Sequence, residues 1–157
     1  MASNAGLEAF IDTNILVYAC SNDEPEKRTI AQAVLARGFH QLCFAVSTQV
    51  LLEFYATVTR KLSPPLSHHD ARRFLSSLTA WPIVTTTSDL VLSALDLAAH
   101  YRISSWDGTI VAASLAAECP LLLTEDLNAG QNYGGTTAIN PFVDLHNQEQ
   151  LLWLQPW

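Results

Sequence analysis

Apolar residues along this chain fall into two patterns, short unbroken runs and longer stretches in which they recur every three or four positions. The runs Ala9-Phe10-Ile11, residues 42–46, Ile83-Val84 and residues 120–124 read as strands, because a strand covered on both faces needs no polar alternation. Thr137-Ala138-Ile139 reads as a fifth, short one. Between them the helical period predicts a helix over 15–20, capped by Thr13 or Asn14. A second runs over 26–37, with Gly38 placed to end it in the left-handed conformation. A third covers 49–62, capped by Ser47 or Thr48 and stopped before Pro64-Pro65. Further helices are expected over 67–80, over Ser88–Tyr101 and from about residue 105. Strands that alternate with helices predict an α/β fold, with a parallel sheet of four to five strands flanked by helices on both faces.

Composition narrows this to one folded domain over residues 1–157. Apolar residues make up 49% and charged ones 15%, enough to fill a core and too little charge for a disordered chain. The formal charge of -7 has the wrong sign for a broad basic face, so a nucleic acid would have to be met by a local patch or a bound metal. Cys20, Cys43 and Cys119 are odd in number and far apart, which suggests neither a disulfide framework nor a zinc site. No run reaches the roughly 18 apolar residues of a membrane span, and a soluble protein of the reducing cytoplasm is the expectation.

Four acids then change the picture. Asp12 stands where the first strand hands over to a helix, and open α/β sheets bind ligands at the carboxyl ends of their strands. Glu53 lies beside the apolar stripe formed by Val50, Leu51, Phe54, Tyr55, Val58 and Leu62, and shares its face with Thr57 and Arg60. Asp107 opens a helix in the first turn, where the macrodipole favours an acid. Asp126 follows the fourth strand, with Glu125 before it. Each has an ordinary structural reading, as a cap, a turn residue or a solvated side chain. Those readings explain the acids singly but not their joint placement.

The segments Ile11-Asp12-Thr13-Asn14, Leu52-Glu53-Phe54, Trp106-Asp107-Gly108-Thr109-Ile110-Val111-Ala112-Ala113 and Leu123-Thr124-Glu125-Asp126-Leu127-Asn128 resemble, in order, the motifs of the PIN domain. They are most similar to VapC-type ribonuclease toxins of bacterial toxin and antitoxin pairs. The resemblance implies a three-layer PIN-like fold in which Asp12, Glu53, Asp107 and Asp126 are both the catalytic residues and the metal ligands. Thr13 or Asn14 would support the first loop. Glu125 departs from the simplest Thr-x-Asp pattern, and since neighbours on an extended segment point opposite ways, Asp126 is assigned to the cluster. The implied activity is hydrolysis of single-stranded RNA with Mg²⁺ or Mn²⁺, hard cations that suit oxygen ligands and phosphate. The implied partners are RNA, an antitoxin protein and a second copy of the chain, with no membrane. The apolar stretch Leu151-Leu152-Trp153-Leu154 supports self-association. Arg60-Lys61 and Arg72-Arg73 either guide the RNA strand or are ordinary solvated faces.

Rivals are fewer. A haloacid-dehalogenase-like phosphatase needs a second Asp two residues after the first, where Asn14 stands, and a receiver domain wants a late Lys that residues 121–157 lack. A non-catalytic metal-dependent or RNA-binding module of the same fold is the remaining alternative, separated from the nuclease by release of oligonucleotide products.

Overall fold

The computed structural model describes residues 6–143. Its elements run β1 (Ala9–Ile11), α1 (Thr13–Cys20), α2 (Pro25–Gln41), β2 (Phe44–Ser47), α3 (Thr48–Arg60), α4 (His68–Leu78), β3 (Ile83–Val84), α5 (Ser88–Tyr101), α6 (Ser105–Ala116), β4 (Leu121–Leu123) and β5 (Thr137–Ile139). All five strands are parallel and lie in the order β3-β2-β1-β4-β5. The chain therefore steps outward from β1 to β3, then returns to the other side of β1 and steps outward again. Right-handed crossovers put the helices of these two excursions on opposite faces of the sheet. Accordingly α1 packs on α2 and α3, and α3 on α4, while α5 packs on α6 and α6 lies over β1, β2 and β4. This is the α/β arrangement expected of alternating strands and helices.

Burial follows that layering. Ala9, Phe10 and Ile11 on the central strand are fully buried, as are Phe44, Ala45 and Val46 on its neighbour. Residues 108–114 of α6 are buried on every side, which is why this helix carries almost no polar face. Gly108 lets α6 approach α5: a Cβ there would lie 2.5 Å from the Ala94 carbonyl oxygen.

Several boundaries differ from the periodicity. The N-cap of α1 is Asp12, not Thr13 or Asn14: its backbone is extended and its carboxylate accepts from the Thr13 N–H. Gly38 does not end α2. It is buried inside a helix that continues to Gln41, and Leu42 takes the left-handed turn at φ 51°. The glycine is required by packing, since a Cβ at residue 38 would fall 2.2 Å from the Phe44 ring and 2.8 Å from Trp81. As a result β2 begins at Phe44 rather than at residue 42, and Leu42 stays exposed. Residues 151–154, the apolar stretch assigned to self-association, lie outside the described residues. No helix of the described residues is long and apolar enough to cross a membrane.

Candidate active site

The strand order reverses between β1 and β4, and at such a switch point the loops leaving the strands diverge and open a crevice at their carboxyl ends. Asp12 leaves β1 there and Thr124 leaves β4. The Asp12 N–H bonds the Leu123 carbonyl at 3.0 Å, extending the pairing of Ile11 with Leu123 by one residue. The two loops are thereby locked side by side.

Asp12 is the buried floor of the crevice, with 5% of its surface exposed. One oxygen, Oδ1, accepts from the Thr13 N–H at 2.7 Å; the other, Oδ2, accepts from the Thr124 hydroxyl at 2.7 Å and the Asn14 amide at 3.3 Å. The Asn14 amide also donates to Asp126 at 3.0 Å, and the Asp126 N–H donates to the Thr124 hydroxyl oxygen at 3.1 Å. On the other side Thr13 donates its hydroxyl to Glu53 at 3.0 Å, and Gln49, one turn earlier on α3, donates to the same carboxylate at 2.8 Å. Thr13, Asn14 and Thr124 thus link three of the four predicted acids, Asp12, Glu53 and Asp126, from a buried floor to an exposed rim. Gln49 and Thr124 were not assigned a role by the sequence. The i, i+4 spacing of Gln49 and Glu53 was the available signal for the first.

Asp107 stands apart from this network. Its N–H donates to Ser104 Oγ at 3.0 Å and its carboxylate accepts from the same hydroxyl at 2.8 Å, a reciprocal cap on α6. Glu125 also turns elsewhere: it accepts from the Tyr18 hydroxyl, and from Lys27 at 3.0 Å.

Burial pushes the Asp12 carboxyl up to about 7, against the pull of its bonds to Thr124 and Thr13, and the charges of Asp126 and Glu53 add to the rise. A cation beside Asp12 would reverse that cost. The Asn14 Oδ1 is buried without a hydrogen-bond partner, an unused oxygen donor among carboxylates. Among the described residues, no three His, Cys, Asp or Glu side chains stand close enough as they are placed to hold a metal ion. The donor chemistry nonetheless fits a hard divalent cation: all the acids offer oxygen, one is held at an unfavourable charge, and an amide oxygen is spare. A thiolate nucleophile is disfavoured, because burial pushes Cys43 up to about 11 and Cys119 up to about 12.

The family model for the PIN domain matches residues 9–133. This chain belongs to the PIN domain family. The PIN domain's fold is also that of a toxin-antitoxin complex from Klebsiella pneumoniae, at a TM-score of 0.60 and 20% identity over 85% of this chain and 98% of the other. VapC20 of Mycobacterium tuberculosis, described as a sarcin-ricin loop cleaving toxin, superposes with a TM-score of 0.59 and 16% identity, covering 73% and 87%. VapBC2 of Rickettsia felis, solved on a DNA fragment from its promoter, gives 0.58 and 17% over 84% and 97%. At these identities the likeness is one of fold. No curated protein matches the chain.

Proposed function

We propose that this PIN domain is a metal-dependent endoribonuclease acting on single-stranded RNA, and that it works as a VapC-type toxin. The observation that carries the reading is the hydrogen-bonded set Asp12, Asn14, Thr124 and Asp126 at the switch point of the sheet, joined to Glu53 through Thr13. Asp12, Glu53, Asp107 and Asp126 would hold Mg²⁺ or Mn²⁺. A bound ion supplies a water of lowered pKa and neutralises charge developing on the phosphate. The chain's own contribution is orientation. The Thr124 hydroxyl and the Asn14 amide fix the rotamers of Asp12 and Asp126, and Thr13 and Gln49 hold Glu53 toward the crevice. Burial of Asp12 keeps bulk water from competing for its oxygens, so a cation that displaces the carboxyl proton would be held there more strongly than at an exposed carboxylate.

The similar solved structures include toxin-antitoxin complexes, which supports an antitoxin protein as the partner of this chain. A homodimer is the proposed assembly. One observation favours the non-catalytic alternative: Asp107 spends its carboxylate on Ser104. Incubation of the purified protein with single-stranded RNA separates the two readings. Cleavage that requires Mg²⁺ or Mn²⁺, leaves a 5′-phosphate, stops in EDTA and falls by about a hundredfold or more in Asp12→Asn is the expected result. Equal cleavage by wild type and Asp12→Asn, or full activity in excess EDTA, overturns it. Absence of cleavage with metal binding intact would favour the non-catalytic module.

A further inference from the structure

Two consecutive acids, Glu125 and Asp126, leave the same loop after β4 toward different partners, and both partners lie on one face of α1. Asn14 and Tyr18 are four residues apart on that helix, so they stand one above the other. Asn14 holds Asp126 at 3.0 Å, and Tyr18 holds Glu125 through its hydroxyl. Lys27 of α2 closes the set: it donates to Glu125 at 3.0 Å and to the Tyr18 hydroxyl oxygen at 3.1 Å, and its ammonium lies 4.5 Å from the centre of the Tyr18 ring. Phe142 meets that ring edge-on, with centroids 4.9 Å apart, and its own ring lies 5.6 Å from the Lys27 ammonium. One carboxylate therefore ties three elements together through charge-assisted bonds, which are the directional and strong ones.

We propose that Tyr18, Lys27 and Glu125 form a clamp whose work is to fix the direction of the adjacent Asp126 carboxylate, making all three positioning residues for the cation site. The proposal rests on the reading of Asp126 as a metal ligand. Lys27 also offsets the second acid of the loop, so that Glu125 anchors the backbone without adding an uncompensated charge beside Asp12 and Asp126. Without the clamp, the hydrogen bonds to residue 126 among the described residues are those made by Asn14 and Thr124, and the residue is itself exposed.

Charge and positioning predict opposite signs, and the test uses that. Mn²⁺ binding is measured by titration calorimetry on the full chain for wild type, Tyr18→Phe, Lys27→Met, Lys27→Arg and Asp126→Asn. Amide hydrogen exchange over residues 124–128 is measured on the metal-free forms. Tyr18→Phe changes no charge and keeps the ring that meets Phe142 edge-on. The clamp predicts Mn²⁺ binding weaker by about tenfold in Tyr18→Phe and in Lys27→Met, substantial recovery in Lys27→Arg, and faster exchange of the Asp126 amide in both weakened variants. If only charge matters, Lys27→Met tightens Mn²⁺ and Tyr18→Phe leaves it unchanged, and the clamp is wrong. If wild type and Asp126→Asn bind Mn²⁺ alike, the ligand reading of Asp126 fails instead. Exchange over 124–128 then still decides the clamp: a Tyr18→Phe rate equal to that of wild type overturns it.

Discussion

Asp12 carries two roles on one carboxylate, and each would be read from sequence as excluding the other. It caps α1 through Thr13, and it is the buried acid on which Thr124 and Asn14 converge. Its pH dependence follows from burial. The folded carboxyl titrates at about 7 against an ordinary 3.8, so the folded state binds the proton more tightly than the unfolded state. Below the ordinary value both states are protonated and the group costs nothing. The protein loses stability as pH rises between these two values, and above about 7 the cost stays constant. An Asn at this position does not titrate and remains a good cap. In chelator-treated protein, the melting midpoint of wild type minus that of Asp12→Asn should fall as pH rises from 4 to 7 and then level off. A flat difference would mean that the Asp12 carboxyl is not raised. Divalent cation should lift the wild-type midpoint near pH 7, since a ligand of the folded state alone adds RT ln(1 + [L]/Kd), and should leave Asp12→Asn nearly unmoved.

At the scale of the element, α2 shows how packing overrides a local signal. Gly38 after a run of apolar positions has the look of a helix stop, yet the helix continues and the glycine faces Phe44 and Trp81. The absent Cβ is what lets α2 lie against β2. Gly38→Ala would raise helix propensity, which favours the helix by up to about 1 kcal/mol. Overpacking against the Phe44 ring costs about 1–3 kcal/mol, and here the contact is with a fully buried side chain that cannot move aside cheaply. Net destabilisation in a denaturant titration is the expected outcome. A stabilised variant would show that residue 38 is an ordinary helix position with room for a Cβ.

For the whole molecule, net charge and exposed apolar surface point to different partners. A net charge of -7 disfavours a broad RNA-binding face, so the proposed RNA substrate would have to be held chiefly at the crevice. The described residues also leave a groove of about 730 Å³ between α3 and the α5–α6 pair, lined by Leu52, Val91, Leu95 and Trp106 and reaching Glu53. Leu52 is 73% exposed and Trp106 69%. Apolar side chains gathered in this way mark a surface for another protein rather than for a polyanion. Light scattering at micromolar concentration should give the mass of a homodimer, and Leu52→Asp with Leu95→Asp should shift it toward monomer without lowering the melting midpoint. A wild-type protein that is monomeric throughout that range would count against the assembly.

The sequence by itself determined the alternation of strands and helices, because burial on two faces leaves unbroken apolar runs and burial on one leaves a helical period. Thus Ser88–Tyr101, Ile83–Val84 and Thr137–Ile139 coincide with the elements read from the pattern. It also held the four acids in an order that resembles one family. What it could not contain was which side chains meet. The pairing of Ile11 with Leu123 brings Asp12 beside Thr124 across more than a hundred residues, and only the crossing of the chain at β1 and β4 makes that contact. Local spacing made Asp107 the equal of Asp126, whereas the fold ties Asp126 to Asn14 and leaves Asp107 to Ser104. Glu125 is the same case in reverse. Its partners lie on α1 and α2, about a hundred residues earlier, and a hydrogen bond depends on distance in space, which sequence separation does not record.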